Sequence, residues 1–325
     1  MIHPPDMGLW AGRSDAEDGE HALRWHERVR PWSAGVEPGL VLVGLASDAG
    51  ILRNQGRPGA AEGPAALRRA LAGLAWHRTG PAWDAGDVTS EGDALEAAHA
   101  ELGGLLAQLL AEGHLPVVLG GGHDVAAAAF GGLARDLVRR SRPVTVGVVN
   151  LDAHLDVRAG PRLTSGTPFR NIAEACAGRG WPFRYLCLGV DTDANTEALF
   201  QAALRLGASW VEDVELQDGA GLAVVRPRLA SFLSAVEVVQ LSLDLDALSA
   251  ATAPGVSAPA ARGVPLWVAE ALVRQVVASG KLALADLAEL SPRLDVDGRT
   301  ARAAARIAAR VAGMDGAGIP GPIER

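Results

Sequence analysis

Asp152, His154 and Asp156 stand at alternate positions of the stretch Asn150-Leu151-Asp152-Ala153-His154-Leu155-Asp156, which follows the apolar run 144–149. In an extended chain successive side chains point to opposite faces, so these three point the same way and form a comb of ligating groups. Asp244 and Asp246 repeat the spacing after the apolar run 238–243. His123 is the sixth candidate, following Gly120-Gly121-Gly122, whose glycines allow a sharp turn after a short apolar run. Four carboxylates brought together would repel one another, and some would have to bind protons. Two divalent cations remove that conflict, because four negative charges then meet four positive ones. Carboxylate and imidazole ligands without thiolate suit manganese, with magnesium, iron and zinc as alternatives. The competing reading has Asp124 and Asp156 capping helices and the histidines packed in a core. It suits any one residue taken alone, but not six groups in comb spacing at strand ends. A phosphate cradle is the other use of a glycine-rich turn; here the Walker lysine is absent and the later spacing does not match a dinucleotide fingerprint.

The elements that must carry these groups are short and almost wholly apolar. Runs at 40–45, 115–119, 144–149, 184–190, 208–211, 236–243 and 282–288 read as strands buried on both faces. They alternate with helical patterns at 94–112, 195–206, 265–278 and 299–312. Gly113 stops the first of these, and Asn195 is expected to cap the second, which Gly207 stops. The alternation predicts an α/β fold with a mostly parallel sheet, and such sheets place their ligands at the carboxyl ends of the strands. A chain of 325 residues that is 49% hydrophobic has the apolar material for one large core. No linker divides it, so the expected organisation is an irregular, acidic extension over 1–35 and a single catalytic domain over 36–325.

Composition also bounds the partners. A formal net charge of -8 argues against a general affinity for nucleic acid or an anionic membrane, since both depend on clustered cations. A small-molecule substrate is expected instead. No run reaches the roughly 18 apolar residues of a membrane span, and residues 1–20 lack a basic segment followed by an apolar one. The two cysteines, Cys176 and Cys187, form neither a disulfide framework nor a metal-binding spacing. A reducing cytoplasm is the expected location.

The segments Gly120-Gly121-Gly122-His123-Asp124, Asp152-Ala153-His154-Leu155-Asp156 and Ser242-Leu243-Asp244-Leu245-Asp246 resemble the three signature blocks of the ureohydrolase family, which includes arginase and agmatinase. The resemblance runs from the strand at Leu40 to the helix after Gly298. It implies a three-layer α/β/α fold with a central sheet of about eight strands, and two manganese ions per subunit. By that resemblance His123, Asp156 and Asp152 bind one ion, His154, Asp246 and Asp152 bind the other, and Asp244 bridges with Asp152. The implied chemistry is attack of a metal-bridging hydroxide on an amidine or guanidine carbon. Asp156 is implied to pass a proton to the leaving nitrogen, and Glu289, in Leu287-Ala288-Glu289-Leu290-Ser291-Pro292, to grip the amidinium or guanidinium. Family members commonly form trimers or hexamers, so a homo-oligomer is expected.

Departures from arginase narrow the substrate. Phe169 stands where arginase has a proton-shuttling histidine, and Arg158 replaces an asparagine two residues after Asp156. Three longer segments, 53–60, 165–170 and 253–263, resemble the branch of the family that hydrolyses N-formimino-L-glutamate to L-glutamate and formamide in histidine degradation. Ser249-Ala250 takes the place of the Asp-Pro that arginase and agmatinase more often keep. That substrate has two carboxylates, which arginine binds through a planar two-point contact. Arg57, Arg170, Arg53 and Arg158 are the expected carboxylate contacts, with Asn54, Ser165 and Thr167 beside them. Alternatives that the residues leave open are an agmatinase-like or guanidino-acid hydrolase releasing urea, a one-zinc deacetylase-type relative, and a noncatalytic metal-binding relative.

Overall fold

The computed structural model describes residues 1–19, 21–139 and 144–313, so the last stretch of the expected 36–325 domain lies outside the described residues. Among the described residues ten strands make one sheet: β1 (Ile2–His3), β2 (Val29–Pro31), β3 (Leu40–Ala46), β4 (Ala82–Thr89), β5 (Leu115–Leu119), β6 (Val146–Leu151), β7 (Phe183–Val190), β8 (Ser209–Glu212), β9 (Val238–Asp244) and β10 (Leu282–Ala288). Their order is β1-β4-β3-β5-β10-β9-β6-β7-β8, with β2 on the far part of β4. Every pairing is parallel except β1 with β4.

Side-chain alternation along these strands feeds two cores, one on each face. The short helices α1 (Trp25–Arg28) and α2 (Ala49–Arg53) come first in the chain. Leu40 and Leu42 pack on one side with helices α3 (Gly63–Ala72), α8 (Gly219–Ser234), α9 (Leu266–Ala278) and α10 (Arg299–Val311). Val41 and Val43 pack on the other, against α4 (Leu95–Ala111), α5 (Val125–Arg139), α6 (Pro168–Ala177) and α7 (Glu197–Arg205). Three layers result, as a parallel sheet covered on both faces requires. No helix among the described residues is long and apolar enough to cross a membrane.

The count of ten strands exceeds the predicted eight for physical reasons. β4 was not predicted, because Asp84, Gly86 and Asp87 interrupt its apolar run. Asp84 is fully buried there because Arg68 of α3 donates to both of its oxygens, at 2.8 and 2.9 Å, and to Asp87 at 2.7 Å. The predicted irregular stretch 1–35 contributes β1 and β2, too short to carry a periodic signal, along with Trp10 and Trp25 in the core. Trp10 Nε1 donates to Asp84 at 2.7 Å and ties this segment to the same ion pair. Both cysteines are free and buried.

Candidate metal centre

β5, β10, β9 and β6 are consecutive in the sheet although far apart in sequence. Their pairing sets Leu119 level with Leu287, Leu287 level with Leu243, and Leu243 level with Leu151. The chain therefore leaves four neighbouring strands at one height, with Asp244 and Asp152 next to each other as it does so. The glycine turn after β5 is held by Gly120 N donating to Leu287 O and by Glu289 N donating to Gly121 O at 2.8 Å. A Cβ at Gly121 would lie 2.0 Å from Ser47 O, so no other residue fits that approach.

Six donors meet over this edge. His123 Nδ1 lies 3.1 Å from Asp152 Oδ2, 3.0 Å from Asp156 Oδ2 and 3.1 Å from Asp244 Oδ2. One ring nitrogen carries at most one proton and cannot satisfy three carboxylates, whereas a cation between them contacts all four groups. His154 Nδ1 lies 3.0 Å from Asp246 Oδ2 and 3.5 Å from Asp152 Oδ1. The ligand atoms of His123, Asp152, Asp156 and Asp244 lie within 4.8 Å of one another, as do those of Asp152, His154 and Asp246. Asp152 belongs to both groups and turns one oxygen toward each imidazole, the arrangement of a bridging carboxylate. Asp244 stands with the first group only; its other oxygen accepts from Asp246 N at 2.8 Å, which differs from the bridging place implied by family resemblance. Oxygen and imidazole donors in two overlapping groups, with no thiolate, fit a pair of hard or borderline divalent cations.

The electrostatics of the bare cluster show the strain that such cations relieve. Burial opposes the charged form of His123, but Asp244 and Asp152 outweigh it and raise its pKa well above the ordinary value. Asp246 raises His154 in the same way, against burial. Burial pushes Asp152 up, yet His123 and His154 together bring it below the usual carboxylate range. Asp244 is driven well up by burial and by Asp246, and Asp156 is pushed up to about 6 by burial and by Asp152. Ligation demands neutral imidazoles and ionised carboxylates, so metal and protons compete for this cluster.

Asparagines brace the comb. Asn150 Nδ2 donates to Asp152 Oδ2 at 2.9 Å and to the Tyr185 hydroxyl at 3.0 Å, and that hydroxyl donates to Leu155 O at 3.1 Å. Asn195 does not cap its helix, whose first turn begins after Thr196. Its amide instead accepts from Leu155 N at 3.0 Å and donates to Ala153 O at 2.9 Å, clasping the backbone on both sides of His154. Sequence reasoning mistook the first role of Asn195 and missed Asn150 and Tyr185; only long-range contacts reveal them. Phe169 packs its ring edge-on to His123, with centroids 5.3 Å apart, and stacks on Tyr185. Asp124 turns away from the cluster to His99 Nε2 at 2.8 Å.

A cavity of about 330 Å³ opens above the donors. Glu289 forms its wall: Oε1 accepts from His123 N at 3.1 Å, and buried Oε2 has no partner among the described residues. Burial, then Asp246, pushes this carboxyl up to about 8. Gln55, Asp156 and Glu289, all on the cavity surface, have positive φ values of 62°, 47° and 69°, a strain that sites of function tolerate. Asn54, Arg57, Arg158 and Ser165 lie on its rim. Arg57 is pinned, donating to Ser257 O at 2.8 Å and Val256 O at 2.7 Å. The guanidinium of Arg158 is exposed and makes no ion pair among the described residues. Three expected contacts lie off the cavity. Arg53 is consumed by Asp93 at 2.6 Å and Glu96 at 2.7 Å, Arg170 donates to the carbonyls of Val157 and Arg158, and Thr167 bonds the backbone of Thr164.

The fold and the donor cluster together define the class of α/β enzymes with a paired-metal site at the sheet edge. A family model described as the arginase family matches residues 38–313, and the chain belongs to that family. It is 55% identical over 309 residues to a formimidoylglutamase of Ralstonia nicotianae, covering 94% of this chain and 95% of the relative. It is 51% identical to a formimidoylglutamase of Aeromonas salmonicida, covering 93% and 96%. Among solved structures, Trypanosoma cruzi formiminoglutamase with Mn2+ is 29% identical with a TM-score of 0.74, covering 86% of this chain and 95% of that one.

Proposed function

We propose that this chain hydrolyses N-formimino-L-glutamate to L-glutamate and formamide, a step of histidine degradation, with two manganese ions held by His123, Asp152, His154, Asp156, Asp244 and Asp246. The observation that carries the reading is Glu289, a buried carboxyl with one oxygen unpartnered among the described residues, lining the same cavity as His123, His154, Asp156, Asp244 and Asp246. A lone buried acceptor beside a cation-binding cluster calls for a positively charged, hydrogen-bonding group, and an amidinium is one. The high identity to formimidoylglutamases over nearly the whole chain supports the same substrate.

When bound, the manganese pair supplies a nucleophile from water near neutral pH. The side chains do the rest. Glu289 pairs with the amidinium and turns its carbon toward the donor cluster. Asp156 takes the proton of the attacking water and passes it to the nitrogen that leaves with glutamate. Arg158, whose guanidinium makes no ion pair among the described residues, and the pinned Arg57 meet the substrate carboxylates, with Asn54 and Ser165 as neutral partners. Arg53, Arg170 and Thr167 hold the loops that shape the rim. A dicationic guanidine such as agmatine would face Arg158 and Arg57 and be repelled, which disfavours urea release. A homo-oligomer, a cytoplasmic location and a catalytic domain over 36–325 preceded by an extension over 1–35 belong to the same proposal; light scattering tests the first.

The deciding experiment gives manganese-loaded protein formiminoglutamate and agmatine in parallel. Glutamate and formamide in equal amounts are expected from the first. Urea from the second, without formamide from the first, overturns the proposal.

A further inference from the structure

His123 turns Nδ1 toward the carboxylates and Nε2 away from them, where it lies 2.9 Å from Ser242 Oγ. Ser242 Oγ in turn donates to Asp286 Oδ1 at 2.5 Å, and Asp286 Oδ2 accepts from Gln240 Nε2 at 2.9 Å. The same Gln240 amide donates to Ala126 O at 2.9 Å, which settles which end of it faces Asp286. Ser242, Asp286 and Gln240 are completely buried, on the adjacent strands β9 and β10. Asp286 has no arginine or lysine partner among the described residues, and the mechanism above makes no use of it.

A buried carboxylate without a counter-cation is costly unless charge reaches it through hydrogen bonds. Both Asp286 oxygens accept, so its partners require it to act as an acceptor. The Ser242 hydroxyl gives its proton to Asp286 and is left with lone pairs facing Nε2. That forces the ring proton of a neutral His123 onto Nε2 and leaves Nδ1 bare toward the carboxylates. A carboxylate acting on a ligating imidazole is a known way to orient the ring and raise its basicity; here a hydroxyl is interposed.

We infer that Asp286, acting through Ser242, is a positioning residue for the manganese position that contains His123, and not for the one that contains His154. The inference rests on the metal assignment proposed above. His154 has a different support, the Asn195 clasp on its backbone, so disturbing the Ser242 relay weakens one position selectively.

The test follows Mn2+ binding to the metal-stripped full chain by the electron paramagnetic resonance signal of the free ion, together with thermal unfolding of the metal-free protein. Wild type is expected to take two ions per subunit. Ser242→Ala and Asp286→Asn are expected to hold one ion as wild type does and to bind the other roughly 10- to 100-fold more weakly. Ser242→Thr, which keeps the hydroxyl, is expected to restore both. If Ser242→Ala does not fold, Asp286→Asn carries the comparison, because it keeps the size of the side chain. Wild-type affinity at both positions in a folded Ser242→Ala or Asp286→Asn variant overturns the inference while leaving the metal assignment standing, as does a Ser242→Thr protein that behaves like Ser242→Ala. Wild-type protein that binds no manganese overturns the assignment and the inference together.

Discussion

Glu289 shows how one residue joins strain, burial and recognition. Its backbone sits at φ 69°, one carboxyl oxygen is bonded to His123 N, and the other is buried without a partner among the described residues. Without metal, burial and then Asp246 push the carboxyl up to about 8, and only its ionised form pairs with an amidinium. The sign follows: KM falls as pH rises while Glu289 ionises, in a range that lies below about 8 when bound cations offset the charge of Asp246. Steady-state kinetics across that range check this, and Glu289→Gln is expected to raise KM and remove the trend. Arg158 offers a separate case because nothing else among the described residues engages its guanidinium. Losing one charge-assisted bond of about 1.5–3 kcal/mol, Arg158→Leu is expected to raise KM for formiminoglutamate by roughly 10- to 100-fold with kcat little changed.

At the scale of elements, the site depends on how loops and strands are tied down. The backbone carrying His154 is clasped by Asn195 at the start of the α7 segment. Asn195→Ala leaves the Leu155 N–H without its partner, while Ala153 O still accepts from Asp191 N at 3.0 Å, and is expected to cost about 1–3 kcal/mol in urea denaturation. It should also weaken manganese binding. β4 is held from the other side by Arg68. Arg68→Met strands the buried Asp84 carboxylate, and breaking such a pair destabilises by about 3–5 kcal/mol. Denaturation with and without manganese would show that loss in both states, since Arg68 stands outside the donor cluster.

The molecule as a whole concentrates six ligating groups, four of them acidic, at the edge of a sheet covered on both faces. Ions that bind only the folded chain stabilise it by mass action, by about 2.7 kcal/mol for each site when free ion stands a hundredfold above its dissociation constant. A chelator is therefore expected to lower the thermal midpoint and added Mn2+ to restore it, as scanning calorimetry would register. The Asp152→Ala protein should show no such response, because Asp152 is the only member common to both donor groups.

What could be read in the sequence was whatever local backbone geometry dictates. Apolar runs of strand length marked seven strands, and the residue types at 152, 154, 156, 244 and 246 marked a cation site, but no extended comb carries them: β6 ends at Leu151, Asp156 has a positive φ, and Asp246 stands in a 3-10 turn after β9. β4 escaped because its buried aspartates look polar until Arg68 is seen beside them. Asn195 read as a helix cap, since a capping asparagine and one that clasps a distant loop have the same local neighbours. The arginines were indistinguishable for a like reason: Arg53 is neutralised by Asp93 and Glu96, forty or more positions along the chain, and Arg158 by nothing among the described residues. Composition and spacing determined the ligand types and set them just past strand ends, whereas their facing comes from the turns that follow β6 and β9. Strand order, and with it the meeting of His123, Asp152 and Asp244, is set by contacts between segments a hundred residues apart, and only the tertiary structure decided it.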